Sequence, residues 1–336
     1  MTQASTEEVD PRQSPAVTTA AALESPSHSR QAPPETPLPP RRTHRRGWLF
    51  RNRDRIVGWI LAAFALTAIG GLALITCFIL MEGLPRMFQV GVGNFLFSSD
   101  WKPAKHIYGI APMIVGSVMV TLCAMLVGGT LGLAVAVVLT QFCPKRVVGV
   151  IKPCIELLAG IPSVVYGFIG VLILVPFIRD HFGGWGLSVL ASAIVLGIMV
   201  LPTVTSISVD ALQAVPRGFR EGSIALGATQ WQTTWMVILK AARSGIVAAM
   251  ILGMGRAIGE TMAVIMVAGN SLVIPHSILD PVRTLTSNIA LEMGYAADDH
   301  REALFATGVV LFVIIMILNS IALADSRRRA WKGGRK

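Results

Sequence analysis

Charged residues are scarce in this sequence. They make up 14% of its 336 residues, against about 25% in an average soluble domain. Hydrophobic residues make up 53% of the chain and lie in long blocks between short polar segments. This composition leaves too little polar surface for a soluble globular domain. It instead predicts a polytopic membrane protein whose hydrophobic blocks cross the bilayer.

The chain also has few of the residues that build metal sites or disulfide frameworks. Its four cysteines, at positions 77, 123, 143 and 154, show no Cys-x-x-Cys spacing and lie in or beside hydrophobic blocks. Its histidines fall outside those blocks and have no partners at ligand spacing. The sequence therefore gives no support for a metal site or a disulfide framework and favours buried, non-ligating cysteines.

No nucleotide-binding motif is present either. The phosphate-binding sequence Gly-x-x-x-x-Gly-Lys-Ser/Thr is absent, and we expect no cofactor in this chain. The run GMGRAIG at 253–259 resembles a dinucleotide-binding fingerprint only superficially, because its last glycine is one position too far along and no strand precedes it. We attribute Gly255 and Gly259, like Gly128 and Gly132, to close packing of membrane helices.

Residues 1–46 differ in composition from the rest of the chain. They contain eight prolines together with many Ser, Thr and Gln, and such a segment cannot bury enough apolar surface to offset its ordering entropy. We predict a disordered, Pro-rich cytoplasmic tail at 1–46, a membrane domain at 47–325 and a basic cytoplasmic tail at 326–336. The first long apolar block begins only after Arg55, so we do not expect a signal peptide at the start of the chain.

Hydrophobic blocks of sufficient length predict an all-α membrane bundle with about six transmembrane helices. The predicted spans are 56–80, 108–139, 153–178, 186–207, 244–269 and 302–324. Pro162 and Pro202 fall within the third and fourth spans, where we expect each to kink its helix.

The distribution of basic residues orients these helices. The chain has a formal charge of +10, but its basic residues gather at the ends of hydrophobic blocks and form no aromatic-interleaved face, so nucleic-acid binding is not favoured. The segments 41–55, 140–152, 208–243 and 325–336 hold 20 Lys and Arg, whereas the segments 81–107, 179–185 and 270–301 hold 6. The positive-inside rule then places both termini in the cytoplasm.

The long cytoplasmic segment at 208–243 carries a helical apolar pattern. Ile224, Ala228, Trp231 and Trp235 recur at helical spacing, and Gly227 is expected to interrupt the pattern and to make two short helices. Two interpretations remain open on this pattern alone. The segment is either an amphipathic helix on the inner membrane surface or a docking helix for a cytoplasmic protein.

The spacing of Glu221, Gly227, Val237 and Leu239 resembles the EAA loop of ABC-importer permeases, which is the coupling helix that enters a cleft of the ATPase subunit. The chain departs from that pattern with Gly-Ser at 222–223 in place of Ala-Ala, Val237 in place of Ile, and Lys240 in place of Pro. Gly and Ser are poorer helix formers by up to about 1 kcal/mol each, but the glycine at 227 and its spacing within the motif are kept. The resemblance implies ATPase contacts at coupling residues Arg220, Glu221, Gly227, Ala228 and Trp231.

Three further segments narrow the resemblance. ELLAGIPSVVYG at 156–167, GRAIGETMA at 255–263 with VAGN at 267–270, and TLTSNIALEMGY at 284–295 are similar to segments of PstC-type permeases of phosphate-specific ABC importers. This resemblance covers roughly residues 56–325. It implies a type I ABC-importer permease fold for the membrane domain and a location in the bacterial cytoplasmic membrane. It further implies a PstA-type second permease, a PstB-type ATPase dimer that binds ATP and Mg²⁺, and a PstS-type periplasmic phosphate-binding protein.

Two charges lie within the fifth predicted span. Arg256 and Glu260 are four residues apart, which places them on one helical face within contact range. Each costs about 2.5–3.5 kcal/mol at the bilayer centre on insertion scales, so they must face protein or water. Two interpretations are open. In one, Arg256 and Glu260 form an intrahelical ion pair that only helps two helices to pack. In the other, Arg256 lines the substrate path and offers its planar N–H donors to phosphate oxygens, while Glu260 orients the guanidinium. Thr261 is a further polar candidate for this path.

Two other classes of function remain open on the sequence. An ion-coupled secondary carrier or channel for an oxyanion accounts for an acidic residue in mid-membrane, although the chain shows no obvious inverted repeat. A membrane-embedded enzyme or scaffold requires a catalytic constellation, and none is recognisable. The sequence therefore favours a non-enzymatic permease subunit of an ATP-driven phosphate importer.

Overall fold

The computed structural model describes residues 48–333. The predicted tail at 1–46 lies outside the described residues, and so do residues 334–336 of the predicted basic tail. The chain divides into two units, and the boundary lies between Ala62 and Ala63. Both residues belong to the first helix, α1 (Trp48–Val90).

A short outer segment follows α1. It consists of α2 (Val92–Phe97) and two antiparallel strands, β1 (Trp101–Lys102) and β2 (Ile107–Tyr108), joined by a 3₁₀ turn at Pro103–Lys105. Trp101 pairs with Tyr108 across the strands, and both side chains are buried. Their ring centroids lie 5.6 Å apart in an edge-to-face arrangement, which is a favourable geometry for aromatic pairs.

The first half of the membrane domain contains helices interrupted by π-helical turns. Helices α3 (Ala111–Ala124) and α4 (Thr130–Val137) are joined by the π turn Met125–Gly129 and extended by the π turn Val138–Phe142. Then come α5 (Lys145–Ala159), α6 (Ser163–Ile169), the π turn Gly170–Leu174 and α7 (Val175–Phe182).

The second half begins with the longest buried helix, α8 (Val189–Gln213). It continues with α9 (Arg217–Ala225), α10 (Gln230–Gln232), the π turn Thr233–Ile238, α11 (Leu239–Ala241), α12 (Arg243–Gly259), α13 (Met262–Val267), α14 (Leu285–Glu292) and α15 (Asp298–Gly333).

The expected number of membrane spans is confirmed. Five helical stretches of the described region are long and apolar enough to cross a bilayer: Ile56–Val90, Ala111–Phe142, Ser163–Phe182, Val189–Gln213 and Asp298–Ile321. The pair Gln230–Ala241 and Arg243–Gly259, bent by 71°, provides a sixth candidate.

Two predicted spans are not single helices. The third, at 153–178, is interrupted between Ala159 and Ser163. Pro162 therefore lies just before α6 and does not kink a continuous helix. Proline is well tolerated at a helix start, because the N–H group that it lacks would have no partner within the helix there. The fifth, at 244–269, is interrupted after Gly259. By contrast, α8 continues through Pro202.

Helix α8 lies at the centre of the membrane domain, and glycines bring its neighbours close to it. A Cβ at Gly128 would overlap the carbonyl oxygen of Gly197, and one at Gly132 would lie 3.0 Å from the carbonyl oxygen of Leu201. Thr205 donates a 3.1 Å hydrogen bond to the carbonyl oxygen of Gly132. The predicted close packing at Gly128 and Gly132 is therefore confirmed.

Candidate functional site

The predicted pathway residues lie around the interruption of the fifth span. Helix α12 ends at Gly259, and Glu260 has an extended backbone conformation with φ −70° and ψ 132°. Helix α13 begins at Met262. Arg256 thus lies in the last turn of α12, whereas Glu260 and Thr261 form the break between the two helices. Thr261 donates a 3.3 Å hydrogen bond to the carbonyl oxygen of Gly259.

The side chain of Glu260 caps the second of these helices. Its Oε1 atom accepts a 3.2 Å hydrogen bond from the backbone N–H of Ala263, which satisfies a donor that the first helical turn leaves free. Among the described side chains, Glu260 makes no ion pair with Arg256. The prediction that the two share one helical face within contact range is therefore wrong, because α12 ends before Glu260.

Arg256 lies on an open face of α12. Its side chain is exposed, and a Cβ added at Gly255 or Gly259 would meet nothing within 4 Å. Within the described part of this chain, no helix packs closely against these two glycines. Water or a second protein must therefore cover this face, because an arginine at membrane depth is not stable against hydrocarbon.

The depth of Arg256 follows from its neighbours on α8. One turn earlier in α12, a Cβ at Gly253 would lie 2.9 Å from the side chain of Val200 and 2.7 Å from that of Val204. These valines lie close to the midpoint of α8, which is long enough to cross the bilayer. Arg256 is therefore near the middle of the membrane domain.

A second helix break lies beside the first. Between α5 and α6 the chain is non-helical, and the Tyr166 hydroxyl donates a 2.7 Å hydrogen bond across this break to the carbonyl oxygen of Leu158. Next to Tyr166, a Cβ at Gly167 would lie 2.9 Å from the Cα of Ala263, so α6 is in contact with the first turn of α13.

Paired helix breaks have a physical consequence in a membrane protein. Backbone groups that leave a helix at this depth must be buried in protein or line a water-filled cavity, because lipid offers them no hydrogen bonds. Two adjacent breaks beside an exposed arginine are the arrangement expected at a polar route through the membrane domain.

A buried polar network lies on the predicted outer side of the domain, and the sequence interpretation missed it. The Glu292 carboxylate accepts hydrogen bonds from Arg283 at 2.6 Å and Trp101 at 2.8 Å, and its Oε2 atom lies 2.8 Å from Nε2 of His300. Glu292 is 6% exposed. Partial desolvation, and then the Glu292 carboxylate, raise the pKa of the nearby Tyr295 phenol, whereas Arg283 lowers it. We call Arg283, Glu292, Trp101 and His300 the outer polar network.

One local signal for this region was available in the sequence. Thr284 is the N-cap of α14, and its side chain accepts a 3.2 Å hydrogen bond from the backbone N–H of Ser287. A threonine before a helical stretch predicts such a start. The network itself had no sequence signal, since Trp101 and Glu292 are 191 positions apart.

The cytoplasmic segment contains the expected break. Helix α9 ends at Ala225, and Gly227 has φ +84°, a left-handed conformation that glycine adopts without steric penalty. Thr229 and Gln232 form a capping box that starts α10. Glu221 is exposed, whereas Arg220 and Ala228 are partly buried. The predicted stripe from Ile224 to Trp235 is therefore divided between two helical stretches.

Trp231 faces other aromatic rings of the membrane domain. Its ring centroid lies 6.0 Å from that of Phe142 and 5.6 Å from that of Trp235. These three side chains line an apolar groove of about 570 Å³, together with Thr130 and Met250. Trp231 thus connects the cytoplasmic segment to the end of the second span.

Comparisons with known proteins agree with this architecture. Residues 128–330 match the family described as "Binding-protein-dependent transport system inner membrane component". The probable ABC transporter permease protein YqgH of Bacillus subtilis (strain 168) is 44% identical over 288 residues, which cover 83% of this chain and 93% of that protein. The phosphate transport system permease protein PstC of Xylella fastidiosa (strain Temecula1) is 35% identical over 292 residues, which cover 81% of this chain and 89% of that protein.

A solved structure shares the fold. It is that of a bacterial alginate ABC transporter in complex with an alginate pentasaccharide-bound periplasmic protein. The similarity has a TM-score of 0.57 at 14% identity and covers 82% of this chain and 96% of the other. At this identity the likeness supports the type I ABC-importer permease fold alone.

Family membership decides between the classes of function that the sequence left open. The matching proteins are permease subunits of ABC transporters, not secondary carriers or enzymes. Such subunits work with an ATPase and a substrate-binding protein. The chain belongs to the family of binding-protein-dependent transport system inner membrane components, and it is a PstC-type, multi-pass ABC-importer permease of the bacterial cytoplasmic membrane.

Proposed function

We propose that this chain forms one half of the translocation pathway of an ATP-driven importer for inorganic phosphate. The observation that carries the proposal is the open face of Arg256, in mid-membrane, beside two helix breaks. The name of the Xylella relative, a phosphate transport permease, supports phosphate as the substrate.

The chemistry of Arg256 suits a phosphate oxyanion. A guanidinium presents a planar fork of N–H donors that matches two phosphate oxygens, which a lysine ammonium does not reproduce. Because Glu260 turns away to cap α13, its carboxylate does not occupy those donors. The positive charge of Arg256 is thus available to an anion.

A single arginine suits transient contact better than tight capture. A deep energy well inside a pathway would retain the anion and slow its release. We therefore assign capture to a PstS-type binding protein and passage to Arg256, with Glu260 fixing the start of α13. Thr261, at the same break, offers a hydroxyl to the path.

The other subunits follow from the same proposal. A PstA-type permease covers the open face of α12 and supplies the second half of the path. A PstB-type ATPase dimer binds ATP and Mg²⁺, so this chain needs no cofactor. Arg220, Glu221, Gly227 and Ala228 dock to that ATPase from the cytoplasmic side, where both termini also lie. Trp231 contacts Phe142 at the end of the second span, and we propose that it transmits movements of the ATPase to that span.

Uptake of labelled phosphate tests this proposal. The assembled importer, with its second permease, ATPase and binding protein, is reconstituted into vesicles with ATP on the ATPase side. We expect uptake with ATP and none with a non-hydrolysable analogue. Uptake that is independent of nucleotide would contradict the proposal and favour an ion-coupled carrier.

A further inference from the structure

Helix α14 connects the outer polar network to the break beside Arg256. The sequence places this helix in an outer loop, but Leu285, Thr286, Ser287, Asn288 and Glu292 are all buried. It packs on α3 through a 2.9 Å hydrogen bond from the N–H of Leu285 to the hydroxyl of Ser117. The helix is therefore held inside the membrane domain.

The inner end of α14 is bonded to the break. Thr286 donates a 2.9 Å hydrogen bond from its hydroxyl to the backbone carbonyl oxygen of Glu260. That carbonyl has left the α12 ladder because of the extended conformation of Glu260, so it needs another donor. Thr286 is 8% exposed, and little water competes for this bond.

The outer end of α14 is bonded to three other segments. Glu292, its last residue, accepts hydrogen bonds from Trp101 of β1 and from Arg283 of the loop before α14, and it contacts His300 of α15. Arg283 in turn donates a 3.1 Å hydrogen bond to the carbonyl oxygen of Asn270, just after α13. If β1, the loop before α14 or α15 moves, these bonds pull on the Glu292 end of α14.

We propose that Thr286 is a positioning residue for transport, and that α14 transmits movements of the outer polar network to the helix break at Glu260. This inference rests on the proposed function in one respect, namely that the break borders the substrate path. A one-piece helix of two turns, bonded at both ends, moves as a unit. The outer surface, where the substrate-binding protein docks, thereby controls the backbone beside Arg256.

Thr286→Val tests the inner bond. Valine has nearly the shape of threonine but cannot donate to the Glu260 carbonyl, which then stays unsatisfied. Thr307→Val is the matched control, because Thr307 is also buried and, among the described residues, its hydroxyl bonds only to the carbonyl oxygen of Ala303 in its own helix. Both variants are measured in the assembled importer with its binding protein.

The readouts are ATP hydrolysis with and without phosphate-loaded binding protein, and phosphate uptake at varied binding-protein concentration. For Thr286→Val we expect the stimulation of hydrolysis and the maximal uptake rate to fall about tenfold, the order that one lost buried hydrogen bond gives. Basal hydrolysis and the concentration for half-maximal uptake should change little. Thr307→Val should stay within about twofold of the wild type on every readout.

Glu292→Gln tests the outer end of the same helix. It loses the charge that holds Arg283, and we expect a similar loss of stimulation. If α14 transmits the movement, the double variant with Thr286→Val should lose no more than the stronger single variant, because both changes break one connection. Multiplying losses in the double variant, or equal losses in Thr286→Val and Thr307→Val, would overturn the inference.

Hydrogen exchange separates this inference from the proposed function. In the intact importer, Thr286→Val should speed exchange of the amides of 260–263 by about tenfold, and Thr307→Val should not. This result requires no phosphate. If the wild type takes up no phosphate, the proposed function fails while the exchange experiment still decides whether Thr286 holds the break; unchanged exchange would overturn its positioning role.

Discussion

The Glu260 carboxylate lies 3.2 Å from the backbone nitrogen of Ala263 and accepts its hydrogen bond. Glu260 therefore acts on the helix that follows it and not on Arg256, four residues before it. A capping residue and a counter-ion respond differently to substitution, and this difference is measurable.

We expect Glu260→Gln to keep most of the transport activity, because the amide oxygen of glutamine also accepts from the Ala263 N–H. Glu260→Ala removes the acceptor and should destabilise the start of α13 by about 0.5–2 kcal/mol, the usual range for a lost helix-capping hydrogen bond. Thermal unfolding and phosphate uptake of the assembled importer measure the two effects. A Gln variant as inactive as the Ala variant would point to the charge of Glu260 and contradict the capping role.

Gly227 is expected to be required for its backbone conformation alone. A Cβ there would meet nothing within 4 Å, but its φ is +84°, so Gly227→Ala should cost about 1–2 kcal/mol through left-handed strain. We expect the break between α9 and α10 to shift and phosphate uptake per ATP hydrolysed to fall.

Gly222→Ala is the control for this substitution. Gly222 lies within α9, also has open space around its Cα, and has no left-handed φ. Alanine should favour α9 by up to about 1 kcal/mol and leave coupling intact. Equal loss of coupling in both variants would show that side-chain bulk, and not backbone conformation, matters at this surface.

The contact of Gly128 with α8 predicts a large stability effect. Gly128→Ala places a methyl group against the Gly197 carbonyl and should destabilise the protein by about 1–3 kcal/mol through overpacking. Gly149→Ala, in a position of α5 with open space, should instead stabilise it by about 0.5–1 kcal/mol. The unfolding temperatures of the two purified variants test this, and a Gly128 variant as stable as the wild type would refute the contact.

The membrane spans were predictable because the thickness of the bilayer sets the length of each apolar block. The break after α5 had a visible cue in the sequence Gly-Ile-Pro at 160–162, although a kink was the expected result. No proline near Glu260 indicated the second break. Helical spacing therefore suggested an ion pair with Arg256 that the backbone does not permit.

The bonds that hold the two breaks were not predictable from one sequence. Thr286 and Glu260 are 26 positions apart, and neither lies in a pattern that links them. Local propensity and hydropathy describe neighbours along the chain, whereas this contact depends on how α13 and α14 pack in three dimensions. The EAA-like spacing around Gly227, in contrast, correctly indicated a helix break, because one glycine with positive φ suffices to produce it.

The central claim is that Arg256 contacts the oxyanion in transit, and Arg256→Lys tests it most directly. The variant keeps the charge but loses the planar fork of donors. ATP-driven phosphate uptake is measured in vesicles with the assembled importer. Arg179→Lys is the control, since Arg179 is exposed and its ion pair in the described part of the chain is with its neighbour Asp180. We predict that Arg256→Lys lowers uptake at least about tenfold, which corresponds to about 1.4 kcal/mol, while assembly and the Arg179 control stay normal. Near-normal uptake by Arg256→Lys would contradict the claim.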